Sequence, residues 1–524
     1  MPEMDHKDVI IVGAGPTGLS LAVELGLRGI DTLIIEKSKQ MDRSHPRAQG
    51  LNPRTIQFFR RWGISESLKA KKLIRDGYPI RYIWCANLNG KVFASTDDMS
   101  ETINSDLSPE NYVRIPLWLT QDTLREKLSE FNCVQLIEDC KILNIDQDDK
   151  GVRVKIRYKG NTSQISSKYL VACDGADSTI RRLANFTTTF YPPEQKMLQI
   201  VFESEELKSK MTVPEATFYY NLLQMQFFAL GAIDGSKRWS ADFACPATAK
   251  ISDFDLPILL DQLAGFHFEK KIESIGFWYM KPLIADQFRE KNIFLVGDSA
   301  HVLTPIGGHG FNTSVADAVN LAWKLSAVLQ QQATSKLLDS YEIERHRIAI
   351  QKLEYITDNT KKMLTIRQAY PPQTMPEKFA EENQKIAELM SANLKLVLGD
   401  AYDTSPIVFT DLSEGDQYDP KLAKAGYFAP HVWLTEEKCL YDFLSLNHSL
   451  LVWNKTDSAD IKTIETAFAG RHMPLLILNL NHYKTEKSSI MYPKAFYLIR
   501  PDWHISWCGE RFPNPTQLVN QLLP

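Results

Sequence analysis

The segment that most constrains this chain is its first apolar run. DVIIVG (8–13) passes directly into Ala14-Gly15-Pro16-Thr17-Gly18. A β-branched run that ends in glycine reads as a buried strand, and residues 17–29, small and apolar on one face, read as a helix. TLIIEK (32–37) reads as a second buried strand. Strand, helix and strand make a βαβ unit, so the sheet is parallel with a right-handed crossover. Within it, Gly13, Gly15 and Gly18 form a GxGxxG. Such glycines allow a tight turn and close backbone approach to a pyrophosphate, and the helix start at Pro16 and Thr17 offers unpaired N–H groups to it. Glu36, followed by Lys37, ends the second strand, where a carboxylate can accept from a ribose hydroxyl pair. That carboxylate would repel a 2′-phosphate, so the ADP-ribose of FAD or NAD fits better than that of NADP.

Two further strand-to-turn junctions separate FAD from NAD. YLVACDGADS (169–178) carries Asp174, and NIFLVGDSAH (292–301) carries Gly297 and Asp298. An aspartate at the third strand end can hold ribityl hydroxyls. Pro305, Gly307, Gly308, His309 and Gly310 follow, a glycine-rich turn that can lie flat against an isoalloxazine edge. A helix starting near Asn312 and running to about 330 would aim its N-terminal N–H groups at the flavin, where negative charge develops on reduction.

These three pieces resemble the p-hydroxybenzoate hydroxylase-like family of single-component flavoprotein monooxygenases, most specifically through GDSAHVLTPIGGHGFNTSVADAVNLAWKL (297–325) and LLDSYEIERHR (337–347). Arg47-Ala48 and Leu51-Asn52-Pro53-Arg54-Thr55 resemble the family segment that reaches the flavin, and Gln121 with Leu124 its cofactor-contacting helix glutamine. Residues 426–431 and 497–507 resemble the thioredoxin-like domain of the phenol and polyketide hydroxylase branch. No CxxC is present, so a structural or dimer-contact role is expected for it. The chain departs from many relatives at His309, at Thr304-Pro305 and at Leu283.

The resemblance implies FAD as resident cofactor, NADPH or NADH as a transient co-substrate without a second Rossmann site, and O₂. It further implies a flavin C4a-hydroperoxide that hydroxylates a small aromatic or polycyclic substrate, and a flavin that moves, with the Arg47 segment and residues 307–310 accommodating it. Baeyer–Villiger oxygenation or epoxidation on the same fold is the alternative within oxygenation. A flavin-dependent reductase and a non-catalytic flavoprotein are the alternatives outside it.

At 524 residues the chain exceeds the size of one core. The expected architecture is α/β: a Rossmann-like FAD-binding domain (1–186 and 283–400, with a helical extension), an inserted antiparallel β-sheet substrate domain (187–282) and a thioredoxin-like C-terminal domain (401–524). The inserted region is rich in aromatic strand-like runs, TFYYNLL (217–223), QFFALGAI (226–233) and RWSADFAC (238–245). Tyr219, Trp239, Phe243 and Trp278 are the candidate substrate-lining residues. No catalytic base is assigned; His309 and Tyr220 are the candidates, and His301 reads as a hydrogen-bonded structural residue.

A net charge of −4 gives no reason to expect nucleic acid or an anionic membrane as partner. Seven scattered cysteines without a CxxC or metal-ligand spacing read as free thiols, and no metal is expected. With no secretory signal or membrane-length apolar run, a cytoplasmic enzyme is expected, with a homodimer as a further option.

Overall fold

The computed structural model describes residues 6–99, 106–221, 228–305, 307–391, 394–409, 419–454 and 458–524. The expected runs at 217–223 and 226–233 therefore lie partly outside the described residues.

The strand His6–Val12 pairs in parallel with Thr32–Ile35 on one side and Asn161–Ala172 on the other, which places it in the middle of an eight-stranded sheet. Val9, Ile10 and Ile11 have no accessible surface, as a parallel strand covered on both faces requires. The helix Pro16–Leu27 begins with proline at its first turn and is buried on every side from Gly18 to Gly26. Asn161–Ala172 serves two partners. Its first half is antiparallel to Gly151–Tyr158, the alternating strand the sequence indicates, and its second half runs parallel to His6–Val12. The strand Ile293–Leu295 then joins its far side.

The second sheet has seven strands, in the order Lys271–Met280, Gln195–Glu203, Arg238–Cys245, Phe228–Ala232, Phe218–Asn221, Tyr82–Cys85 and Val92–Ser95. It is not confined to 187–282, because the hairpin around Asn89-Gly90 contributes its last two strands. One face packs on the helix Leu256–Ala264, with Leu198, Ile200, Leu230, Ala241 and Phe243 meeting Leu260 and Leu263 in a single core. The other face lines a cavity.

Long helices Asp339–Ala369 and Pro376–Ser391 cover this cavity, with Phe379 packed beside Trp84 and Phe93. The C-terminal unit is a four-stranded mixed sheet flanked by helices. It is held by a buried ion cluster: Arg500 spans Glu344 (2.6 Å) and Asp502 (2.6 Å), and Lys324 meets Glu344 at 2.7 Å. Every charge there has a counter-charge, so the unit is docked through interactions that are costly to break singly. Among the described residues no helix is long and apolar enough to cross a membrane.

Candidate functional site

One cavity of about 1400 Å³ runs from the first glycine turn to the seven-stranded sheet. A pocket for one drug-sized ligand occupies about 300–1,000 Å³. The space here accommodates a dinucleotide and a second molecule.

At its nucleotide end the wall is backbone. Gly13 has φ +105°, a conformation that favours glycine, and a Cβ there would collide with the carbonyl oxygen of Cys173. A Cβ at Gly18 would collide with the carbonyl oxygen of Gly13. A Cβ at Gly15 would meet no protein atom within 4 Å. Gly15 is also the N-cap of Pro16–Leu27 and gives it no side-chain cap, so the first-turn N–H groups stay available beside the cavity. Glu36 accepts from the N–H groups of Ala14 and Ser38, both at 2.8 Å, which ties the second strand to the glycine turn. Lys37 and Gln121 line the same end, with Gln121 Nε2 3.5 Å from the Ala14 carbonyl oxygen.

Further along, Asp298 is exposed to the cavity, with its side chain open to it. The protein packed around it pushes its carboxyl up, His301 opposes this and Asp317 adds to it. No protein hydrogen bond to its carboxylate occurs among the described residues, which is the environment a hydroxyl-rich chain would complete. Gly297, at φ +65°, packs against Ser314 and Thr17. Arg47, at φ +52°, is half exposed and paired with Asp42 at 2.9 Å. Pro305, Gly308 and Gly310 line the cavity, and the helix His309–Leu329 starts there, three residues earlier than Asn312. Gly308, in the left-handed conformation, caps it without a side-chain bond.

Like Glu36, two further residues expected at the cofactor already have protein partners for their polar atoms, although both line the cavity. Asp174 accepts from Ser178 Oγ (2.5 Å) and from the N–H groups of Thr179 (2.7 Å) and Ile180 (3.1 Å), so its carboxylate caps the short helix Thr179–Leu183. Asn312 accepts from Asn52 N–H (2.9 Å) and Thr55 Oγ1 (2.7 Å) and donates to the carbonyls of Gly50 (3.0 Å) and Gly308 (2.7 Å). It braces the long helix against the 50–55 segment. Sequence pattern places such residues at a site but does not show which groups already occupy their polar atoms.

The two histidines differ. His301 is fully buried with Nε2 2.6 Å from Asp317, and Arg345 meets the other Asp317 oxygen at 2.6 Å. Burial pushes the Asp317 carboxyl up, but His301 and Arg345 outweigh it and hold it at about 2. This is a structural ion cluster behind the cavity wall. His309 lines the cavity, and burial, reinforced by Lys352, pushes its imidazole down to about 3, so it is neutral at physiological pH.

At the far end the wall is side chains. Trp84, Tyr220, Ala229, Asp242, Gln199 and Gly276 form one cross-strand row on the cavity face. Trp278, Ala244 and Met197 form the next. The small residues between aromatics leave a flat floor, and a Cβ at Gly276 would meet no atom within 4 Å. Tyr220 and Trp278 are thus cavity residues, whereas Tyr219, Trp239 and Phe243 are not. Those three are buried on the opposite face in the core. The reason is the two-residue period of a strand, which sends neighbours to opposite sides. Composition gave the aromatics without their parity. Trp84, Phe218, Gln199 and Asp242 were missed, although RWSADFAC carries a usable signal. Trp239, Ala241 and Phe243 alternate with Ser240 and Asp242, which puts the aspartate off the core face.

Comparison with known proteins bears on this geometry. A family model described as FAD binding domain matches residues 6–355. Rifampicin monooxygenase of Streptomyces venezuelae is 27% identical over 519 residues, covering 96% of each chain. Aklavinone 12-hydroxylase DnrF of Streptomyces peucetius is 27% identical over 448 residues, covering 82% of this chain and 87% of its own. The rebeccamycin biosynthetic enzyme RebC with reduced flavin superposes with a TM-score of 0.88 at 28% identity, over 99% of both chains.

Proposed function

We infer the reaction from one premise: this chain belongs to the FAD binding domain family. It is an FAD-dependent monooxygenase with the fold of the flavoprotein hydroxylases. We propose that it hydroxylates a planar aromatic or polycyclic substrate, consuming O₂ and NADPH or NADH.

The residues fit the cofactor in two ways. The bare Gly15 surface and the uncapped helix start suit a pyrophosphate, and the unpartnered Asp298 suits a polyol. In this proposal Gly13, Gly15, Pro16, Thr17 and Gly18 hold the pyrophosphate, Glu36 and Lys37 the adenosine ribose, and Asp298 the ribityl chain. Pro305, Gly308 and Gly310 border the ring, with Arg47 and Gln121 at its flank. Asp174 and Asn312 act one step back, by fixing the turns they cap and brace. FAD bound there supplies the hydride acceptance and oxygen activation that side chains lack.

The protein's own part is to position the ring and exclude water. Tyr220 and Trp278 offer aromatic faces to a planar substrate, with Trp84 buried and stacked behind Tyr220, and the helices Asp339–Ala369 and Pro376–Ser391 close the cavity over it. The uncapped start of His309–Leu329 points positive partial charge toward the middle of the cavity, where it stabilises negative charge. We divide the chain accordingly into an FAD-binding unit, the seven-stranded substrate sheet and the C-terminal unit.

The observation that carries this reading is the continuity of one cavity from the glycine turn to the aromatic sheet. The test is a screen of planar phenols and polycyclic aromatics for compounds that stimulate NAD(P)H oxidation, followed by ¹⁸O₂ labelling. Label in a ring hydroxyl is expected. Stimulated oxidation with no labelled product would remove the monooxygenase assignment to such substrates, and label in a lactone or epoxide would replace hydroxylation.

A further inference from the structure

The cavity wall of the substrate sheet is mainly aromatic, small or neutral, and among the described residues its one carboxylate is Asp242. Asp242 lies in the cross-strand row between Ala229 and Gln199, with Gly276 beyond. Its Oδ1 accepts from Trp278 Nε1 at 2.9 Å and from Gln199 Nε2 at 2.6 Å. These two neutral donors fix the carboxylate plane. Its Oδ2 has no protein donor among the described residues, and the side chain borders the cavity. The ionisable groups bordering that space include Tyr220 and Tyr82 on neighbouring strands, Tyr279 and Lys281 at the end of Lys271–Met280, Tyr112 and Arg114, Arg367 on the covering helix, His309 at the start of His309–Leu329, and His45, Arg47 and Asp298 across the cavity. None forms an ion pair with Asp242; Tyr220 feels its charge.

A half-buried carboxylate oxygen that faces the cavity without a counter-ion is a ready acceptor for a ligand donor. A molecule lying on the floor between Tyr220 and Trp278 would bring such a donor to it. We propose that Asp242 receives a hydrogen bond from, and then the proton of, a hydroxyl on the substrate ring, so that the enzyme selects phenols and enols over unsubstituted rings.

In this step the O–H bond breaks, its electron pair stays on oxygen and delocalises into the ring, and the proton moves to Oδ2. The carbons ortho and para to the oxyanion become nucleophilic, as attack on an electrophilic oxygen requires. Burial pushes the Asp242 carboxyl up to about 6, against the lowering effect of Trp278 and Gln199. An ordinary aspartate, near about 4, is a poor match for a phenol near about 10; the shift narrows that gap. Trp278 and Gln199 are positioning residues for this base.

This inference rests on the reading of the cavity as an aromatic-substrate site, and equilibrium dialysis of the holoprotein separates the two. The probes are 2-naphthol and naphthalene, equal in ring area and different in one hydroxyl, measured between pH 5 and 8. For the wild type the affinity ratio of naphthol to naphthalene should rise about tenfold as pH passes through about 6, the strength of a hydrogen bond to a charged acceptor. Asp242→Asn should flatten that rise and leave naphthalene binding unchanged. Trp278→Phe removes one donor to the carboxylate and should move the midpoint upward, which keeps the idea testable if Asp242→Asn does not fold. For any phenol that stimulates NAD(P)H oxidation, Asp242→Asn should lower kcat/KM about 100-fold or more and abolish the limb near pH 6. A pH-independent ratio in the wild type, or a rise that survives in Asp242→Asn, overturns the role of Asp242 alone. Failure of both probes to bind overturns the aromatic-site reading with it.

Discussion

The cavity has two walls made in different ways. Around Gly13–Gly18, Gly297 and Gly307–Gly310 it is made of backbone, and what matters is the absence of side chains. On the seven-stranded sheet it is made of side chains, and what matters is which of two faces each occupies. The backbone wall presents helix starts and bare glycine surface, which suit a phosphate and a flat ring whatever the substrate. The side-chain wall can change residue by residue without disturbing the core behind it, because alternate positions answer to different constraints. A scaffold divided in this way can keep one cofactor and vary its substrate.

The sharpest way to break this division is to exchange the two tryptophans that sequence composition treats alike. Trp239 is 1% exposed, in the core face, whereas Trp278 borders the cavity. Trp239→Ala should cost about 3–5 kcal/mol of stability, read from urea unfolding midpoints. Trp278→Ala should cost under about 1 kcal/mol and instead weaken binding of aromatic ligands. Equal destabilisation by both would show that the sheet does not separate core from site.

Next in size is the backbone wall itself. Gly13→Ala adds a Cβ where φ is +105° and the Cys173 carbonyl already stands. The turn must shift, and flavin affinity should fall about 100-fold, some 3 kcal/mol, measured by flavin absorbance after purification and by reconstitution. Retention of full flavin content by the variant would mean that the close approach at this turn does not matter to the cofactor.

How far sequence reaches follows the same line. The glycine turns were legible because a glycine at a strand end states a backbone requirement directly. The buried strands His6–Val12 and Thr32–Ile35 were legible as β-branched runs. The hairpin at Asn89-Gly90 was legible too, but not its destination, since Tyr82–Cys85 pairs in parallel with Phe218–Asn221, more than a hundred residues later. Asp174 and Asn312 were found at the site, yet capping and bracing take their polar atoms, and those partners come from tertiary structure. The long helix begins at His309 rather than near Asn312 because Gly308 takes the left-handed conformation and starts it sooner. Asp242 was missed because one polar residue in an aromatic run reads as an interruption until the parity of its strand is known.

A smaller effect should separate the cavity wall from the ion cluster that holds it. Asp317 is fully buried, and His301 and Arg345 keep its carboxyl at about 2 against an ordinary value of 3.8. A carboxyl lowered by folding stabilises the protein above pH 3.8, and that contribution is lost as pH falls through about 2. Nearly two pH units correspond to about 2 kcal/mol. Unfolding midpoints measured from pH 5 downward should show this acid limb in the wild type, and Asp317→Asn should remove it while lowering stability throughout. An acid limb unchanged in the variant would assign it to other carboxylates.

The smallest expected effect falls on the residue that sequence made most tempting. His309 is the first residue of the long helix, and burial and Lys352 hold its ring neutral with a value of about 3. A neutral imidazole at that place cannot titrate between pH 5 and 8, so it carries no proton on and off the substrate over that range. What it contributes is bulk beside Gly307 and a helix start. Gln is neutral at the same pH and of similar reach. His309→Gln should therefore change flavin affinity less than about threefold, within about 0.5 kcal/mol, and leave the pH profile of NAD(P)H oxidation where it was. A limb that disappears with this substitution would move proton handling from the side-chain wall to the backbone wall. The two walls would then share the chemistry instead of dividing it.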